Sequence, residues 1–405
     1  MDKNLSKLPA SEKRFYENPR MEDIFGPFIF ISTDQHTIKE KPQSVDDWKY
    51  YTSWSKIKKP SMFFRGKKHK IYVQPIGPFP EILMKTNGFI SMLETLKNFV
   101  EKFFPNLKVV FMDTIIDYKS LPCKNRLHTK SKQRQLLISD VQFFLKTIIP
   151  KDAFCICGLS WFDFYPSEDL NHILGEASFQ NSTVAVSFGH YAYFMEKEAQ
   201  HLAKWGNDYV VERSVSVVLS DSQESLVFIT SNEKCEAEMR SPKHEPVCQS
   251  IPVNHELSKS NIDENLCTTL KQNYSNKTVK ECLCEALPPG YNFYLNCKIY
   301  RRLFRVITHE ICHAMGMSHC QYFSCTMNTS TSILNADTQP LLLCPICLRK
   351  LQLALKFDVL LRYNSIFIFL NNHMHQFCQH KDEDVCPFLK DKNLLQKICH
   401  FMNDL

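Results

Sequence analysis

Apolar residues recur along the chain in two alternating periods. The run 71–76, IYVQPI, is rich in β-formers and predicts a strand. After it Ile82, Leu83, Phe89, Ile90, Leu93, Leu96, Val100 and Phe103 follow helical spacing until Pro105. A second strand is predicted over 108–115, KVVFMDTI. A basic loop then leads to a helical set, Leu136, Leu137, Val141, Phe144, Leu145 and Ile148, stopped by Pro150. A third strand over 153–159 and the segment 177–188, where Val184, Val186 and Phe188 alternate, complete a sheet of four or five strands. The order βαβα begins to show, and helices on a mixed sheet follow from it.

From 211 to 289 the sequence turns polar, with little sustained periodicity, and reads as a partly disordered insertion. Order returns with a helix over 299–315, whose buried side takes Leu303, Phe304, Ile307, Ile311 and Met315. After Leu348 one long helical pattern (Leu351, Leu355, Leu360, Leu361) and a tail dotted with Cys and His close the chain. The expected organisation is an N-terminal extension (1–65), a first part of the main domain (66–210), the insertion (211–289), a second part (290–350) and a helical tail (351–405).

Composition narrows the class. With 44% hydrophobic, 12% aromatic and 23% charged residues the chain suits a globular protein, and a net charge of +6 over 405 residues points to no particular partner. No run of about 18 apolar residues occurs, and the first residues lack the apolar core of a secretory signal. The expectation is an intracellular protein, in the cytoplasm or nucleus, with no membrane partner. Its 17 cysteines then serve metal ligation or burial rather than disulfides.

The chemistry concentrates in 309–319, HEICHAMGMSH. On a helix His309 and His313 lie four residues apart on one face, and both can reach one ion while Glu310 points towards the same space. A straight helix cannot aim a third ligand at that ion from its next turn. Gly316 stands where a left-handed residue would end the helix and swing His319 back. Three neutral imidazoles leave the fourth zinc position for water, with Glu310 as base: the arrangement for amide hydrolysis. Directly downstream Cys320, Cys325, Cys344 and Cys347 form C-x4-C-x18-C-x2-C, the donor set of a structural zinc. Because Cys320 adjoins His319, the second ion would clamp the loop carrying the third ligand of the first.

HEICHAMGMSHCQYFSCTM followed by LCPIC resembles the archaemetzincins, a branch of the metzincin metallopeptidases. So do DAFCICGLSWFDFYP and GEASFQNSTVAVSFGHY upstream. The resemblance implies a zincin-like α+β fold with a twisted mixed sheet, an active-site helix and a small C-terminal lobe. It also implies two zinc ions, peptide substrates and aminopeptidase-like activity on short peptides; Met327 matches the family's turn methionine. The chain departs from the family after that Met. It has Asn328-Thr-Ser and Asp337-Thr-Gln-Pro340 where a Gly-Ser pair and an Asp-Arg-Arg-Pro-like stretch are usual. The runner-up function is a zinc-stabilised binding protein without useful turnover.

Weaker features carry bland readings. Lys56, Lys58, Lys59, Arg65, Lys67, Lys68 and Lys70 alternate with aromatic residues but read as a solvated loop, and no nucleic-acid partner is expected. His373, His375, Cys378, His380 and Cys386 are spaced too irregularly for a metal site. Asp163, Asp169 and His172 are acid–base candidates through sequence proximity to a strand end alone. A monomer is expected.

Overall fold

In the computed structural model the described residues are 5–18, 21–27, 40–58, 69–79, 88–128, 134–170, 172–188, 216–219, 226–229, 291–330, 333–377 and 386–403. Helices α1 (Ala10–Glu17), α2 (Met21–Phe25) and α3 (Val45–Lys58) precede strand β1 (Lys70–Gly77). Next come α4 (Gly88–Phe103), β2 (Lys108–Phe111), β3 (Ile116–Asp117), β4 (Asn125–Leu127), β5 (Arg134–Leu137) and α5 (Ile138–Ile148). Strands β6 (Ala153–Ser160), β7 (Asp163–Tyr165), β8 (Gly175–Ser178), β9 (Thr183–Ser187), β10 (Ser216–Leu219) and β11 (Leu226–Ile229) follow. The C-terminal part is helical: α6 (Tyr291–Ala314), α7 (Ile333–Thr338), α8 (Pro345–Leu355), α9 (Val359–Phe377) and α10 (Leu389–Asn403).

The main sheet runs β2-β1-β6-β9-β8, with β3 pairing β1 as well. β1, β2, β6 and β9 are parallel, and β8 runs antiparallel to β9 at the end of the order. Alternation along the central strands divides the interior. Cys155, Cys157 and Leu159 of β6, with Val184 and Val186 of β9, enter the larger core beneath α4 and α6. Ile156 and Ala185 face the smaller core, where α5 adds Val141 and Leu145. Gly158 allows a close approach there, since a Cβ would lie 2.9 Å from Leu145 Cδ1.

α6 is held between this sheet and the C-terminal helices. Phe304 stacks on Phe99 of α4 at 4.2 Å between ring centroids, and both are buried. Burying such a side chain stabilises by roughly 1.5–3 kcal/mol. Arg301, also on α6, pairs with Asp391 of α10 at 2.7 Å, and Arg302 with Asp337 of α7 at 2.6 Å. The expected twisted mixed sheet with packed helices is what the structure shows, with five strands on the continuous path.

Several boundaries differ from the periodicity reading. Leu136 and Leu137 belong to β5, not to the helix. Their apolar spacing fits both periods, and pairing of β5 with β4 and β7 decides for the strand. The strand predicted over 108–115 stops at Phe111, and 177–188 resolves into parts of β8 and β9 joined through Ser182 at φ 55°. The helix that ends at Phe103 starts at Gly88, and Ile82 and Leu83 lie outside the described residues. The motif helix begins earlier than 299, at Tyr291. The single long helix after Leu348 is two helices, broken where Lys356 takes the left-handed conformation (φ 53°) and its N–H closes α8 on the Gln352 carbonyl. Of 211–289, only β10 and β11 lie among the described residues, paired antiparallel. Among the described residues no helix is long and apolar enough to cross a membrane.

Candidate metal centre

α6 carries His309, Glu310 and His313 over the sheet, and the turn after it brings His319 back. Gly316 makes that turn at φ +80°, where a Cβ would also press within 3.0 Å of Thr52 and 3.2 Å of Phe179. One ligand atom each from His309, His313 and His319 falls within 4.8 Å of the others, and Cys320, Cys325, Cys344 and Cys347 form a second such group.

The histidine rings are oriented from behind. Nδ1 of His309 lies 2.8 Å from the Thr326 carbonyl, Nδ1 of His313 lies 2.6 Å from the Met317 carbonyl, and Nδ1 of His319 lies 2.7 Å from a Glu40 carboxylate oxygen. Each partner is an acceptor, so each Nδ1 carries the proton and each Nε2 of a neutral ring keeps its lone pair. Nε2 of His309 and His313 nevertheless stand 3.0 Å apart. Two lone pairs at that distance need a cation between or beside them. A proton is disfavoured: burial, followed by the His319 charge, lowers His313 to about 3, and burial first, then His313, pushes His309 well below its usual value. A tetrahedral zinc about 2.0–2.1 Å from each nitrogen would hold them about 3.3 Å apart. The donor set therefore fits zinc.

The four thiols pass a similar test. Cys320 Sγ and Cys344 Sγ are 3.6 Å apart, close to the separation of about 3.8 Å across a tetrahedral zinc with Zn–S bonds of about 2.3 Å. The backbone N–H groups of Met327 and Cys344 donate to Cys325 Sγ at 3.4 and 3.2 Å, as thiolate sulfur prefers. All four cysteines are buried. Hydrogen bonds from Cys325, Cys344 and Cys347 draw the Cys320 thiol down, while burial, then Cys320, Cys325 and Cys347, raises Cys344. A divalent cation held there would supply the charge that favours the thiolate form of all four.

Glu310 is buried beside His309 and packs on β8: a Cβ at Gly175 would lie 2.8 Å from Glu310 Cγ. Burial, then the Glu176 charge, raises its pKa to about 8, with Arg305 opposing. A divalent ion on the adjacent histidines acts in the other direction and favours the carboxylate. A cavity of about 320 Å³ opens next to the cluster, lined by Glu40, Tyr51, Ala177, Phe179, His313 and His319.

The departure after Met327 has a structural counterpart. Asn328 Nδ2 donates to the carbonyls of Cys320 and Phe323, both at 2.9 Å, and its Oδ1 accepts from Cys325 N at 2.7 Å, closing the turn by side-chain bonds. Met327 is fully buried, and its carbonyl accepts from Cys320 N at 2.7 Å. The weaker candidates stand apart from this centre. Asp163 is buried and bound by Gln135, and Lys70 pairs with Asp152 at 2.8 Å. Cys378 and His380 lie outside the described residues, as do Lys59, Arg65, Lys67 and Lys68.

A helix-borne H-E-x-x-H whose three histidines converge, with a buried carboxyl between the first two, is the metal site of the zinc metallopeptidase class. The similarity of the chain is more specific than that. Residues 281–353 match Peptidase family M54. The chain is 27% identical to archaemetzincin-2 of Rattus norvegicus over 363 residues, 89% of this chain and 79% of that one. It is 24% identical to archaemetzincin-1 of Homo sapiens over 339 residues, 84% of this chain and 53% of that one. Among solved structures it is similar to archaemetzincin from Methanopyrus kandleri, at 16% identity and a TM-score of 0.34, covering 73% of this chain and 99% of that chain. Over most of its length, then, the chain is similar to archaemetzincins, and the part that holds both candidate ligand groups matches Peptidase family M54.

Proposed function

We propose that the chain is a zinc-dependent peptidase with two ions: a catalytic one held by His309, His313 and His319, and a structural one held by Cys320, Cys325, Cys344 and Cys347. The observation that carries this reading is the orientation of all three Nδ1 atoms towards acceptors, which leaves three Nε2 lone pairs converging without a proton to share. Bound there, zinc supplies Lewis acidity, polarising a peptide carbonyl and lowering the pKa of water towards about 7. Glu310 takes the proton of the attacking water on its carboxylate and returns it to the leaving nitrogen. Gly175 makes room for that carboxyl by lacking a side chain.

Substrate enters as an extended peptide along β8, whose pairing partner among the described residues is β9 on one side. Among the described residues β8 ends the sheet, whereas β9 is paired on both sides by β6 and β8. A side chain of the substrate occupies the adjoining cavity. The finer readings, short peptides and aminopeptidase-like action, rest on the archaemetzincin resemblance, and the zincin-like assignment on the motif helix crossing the mixed sheet.

The test is metal analysis of the full chain followed by digestion of a diverse peptide library. Two zinc ions per chain and cleavage abolished by chelation are expected. Full zinc occupancy with no peptide cleaved would overturn the enzyme and leave a zinc-stabilised binding protein.

A further inference from the structure

We propose that Glu40 is a positioning residue for the histidine metal site, fixing His319 through Nδ1, so that the N-terminal segment completes a site whose ligands all lie at 309–319. The inference rests on the three-histidine reading above. His309 and His313 are oriented by backbone carbonyls of Thr326 and Met317, close to the motif in sequence. For His319 both Glu40 oxygens take that place among the described residues, within reach of its Nδ1 at 2.7 and 2.9 Å, across 279 residues of sequence. A carboxylate is the stronger acceptor, and it increases the basicity of the imidazole it holds.

Glu40 is not a loose surface group that happens to be near. Three residues on, Gln43 Nε2 donates to the Gly316 carbonyl at 3.1 Å, and its Oε1 accepts from Ser318 N at 3.0 Å. Lys350 Nζ donates to the Gln43 carbonyl at 2.7 Å. Ser44 and Asp47 exchange hydrogen bonds across the first turn of α3, Ser44 N donating to Asp47 Oδ2 at 2.9 Å and Asp47 N to Ser44 Oγ at 3.1 Å. One turn further the buried Trp48 donates from Nε1 to the Met315 carbonyl at 3.0 Å. The segment 40–52 thus grips the turn between His313 and His319 from outside, and its first residue reaches the third ligand. The side chains of His319 and Glu40 are 27% and 37% exposed, so the contact is partly solvated, and its effect should be moderate rather than all-or-none.

The experiment uses the full chain and measures zinc affinity by competition with a chromophoric chelator, with zinc content, far-ultraviolet dichroism and histidine ¹⁵N shifts read in parallel. Glu40→Ala is expected to weaken one of two zinc ions by about 10- to 100-fold, leaving the second ion and the dichroism unchanged. The ¹⁵N shifts should show one histidine of the metal-free chain losing its fixed Nδ1–H tautomer. Glu40→Gln, which keeps an acceptor oxygen but no charge, should recover part of the affinity. Affinity of Glu40→Ala within about twofold of the parent would overturn the proposal, since partners of this kind have larger effects. Joint loss of both ions with the helical signal would also overturn it, by making the role structural. If His309→Ala leaves zinc content unchanged in the parent background, the three-histidine reading itself fails and Glu40 falls with it; an intact histidine site indifferent to Glu40 removes Glu40 alone.

Discussion

The Thr326 carbonyl lies 2.8 Å from Nδ1 of His309, and Thr326 follows directly on Cys325, whose sulfur belongs to the four-cysteine group. One turn of chain therefore faces both clusters. Cys320 makes the second link, because it is bonded covalently to His319 and its backbone N–H donates to the Met327 carbonyl at 2.7 Å. Whatever fixes the cysteine cluster also fixes two of the three histidines from behind.

Cys344→Ser with Cys347→Ser should therefore remove one zinc ion and weaken the other. Structural zinc binding is coupled to folding free energy, so the variant should also unfold at lower temperature. Zinc titration with thermal denaturation checks this; two tightly bound ions and an unchanged midpoint in the double variant would rule out the cysteine site.

Gly175→Ala tests the placement of Glu310. The added Cβ would sit 2.8 Å from Glu310 Cγ and 3.1 Å from the Ala185 carbonyl, so the carboxyl must shift. A misplacement of about 1 Å in a reacting group can cost about a hundredfold in rate. Turnover should fall at least about tenfold while zinc content stays at the parent level. Unaltered turnover in a folded Gly175→Ala chain would show that Glu310 is not held by β8.

Both groups of candidate metal ligands follow local spacing, and that is why their convergence is legible in the sequence: i, i+4 on a helix, a glycine stop, and cysteines in close pairs. The strands β1 and β6 are legible for a related reason, being short apolar runs between clear stops. Distance in sequence hides the rest. Glu40 and Gln43 belong to no pattern near the motif, and only the folded chain brings them to His319 and Gly316. Leu136 and Leu137 satisfied the helical period because α5 follows at once, and ladder pairing overrode it. Lys356 ends α8 in a left-handed conformation that no glycine announces. Asn328, read only as a departure from the family pattern, closes the turn through its side chain.

The Arg302–Asp337 pair gives the fold an acid-sensitive contact between α6 and α7. Burial raises the Asp337 carboxyl, but the charge of Arg302 and its hydrogen bond outweigh this and leave the pKa lowered. A lowered carboxylate pKa stabilises the folded chain fully above the unfolded value of about 3.9, and the contribution is lost as pH falls through the folded value. The stability difference between the parent and Asp337→Asn, followed by urea denaturation, should accordingly be level near neutral pH and shrink below about pH 4. A difference that grows on acidification would contradict the assignment.

If the histidine cluster and Glu310 together hydrolyse peptides, Glu310→Gln separates the hydrolysis from zinc binding. The change keeps the size of the side chain and most of its hydrogen-bonding capacity, but removes the base while leaving His309, His313 and His319 in place. Zinc content and thermal midpoint should stay at parent values. Hydrolysis of a peptide the parent cleaves should drop by at least about a hundredfold, within the range of about 10²- to 10⁴-fold for general-base assistance. Parent-level cleavage by zinc-loaded Glu310→Gln would show that Glu310 is not the base.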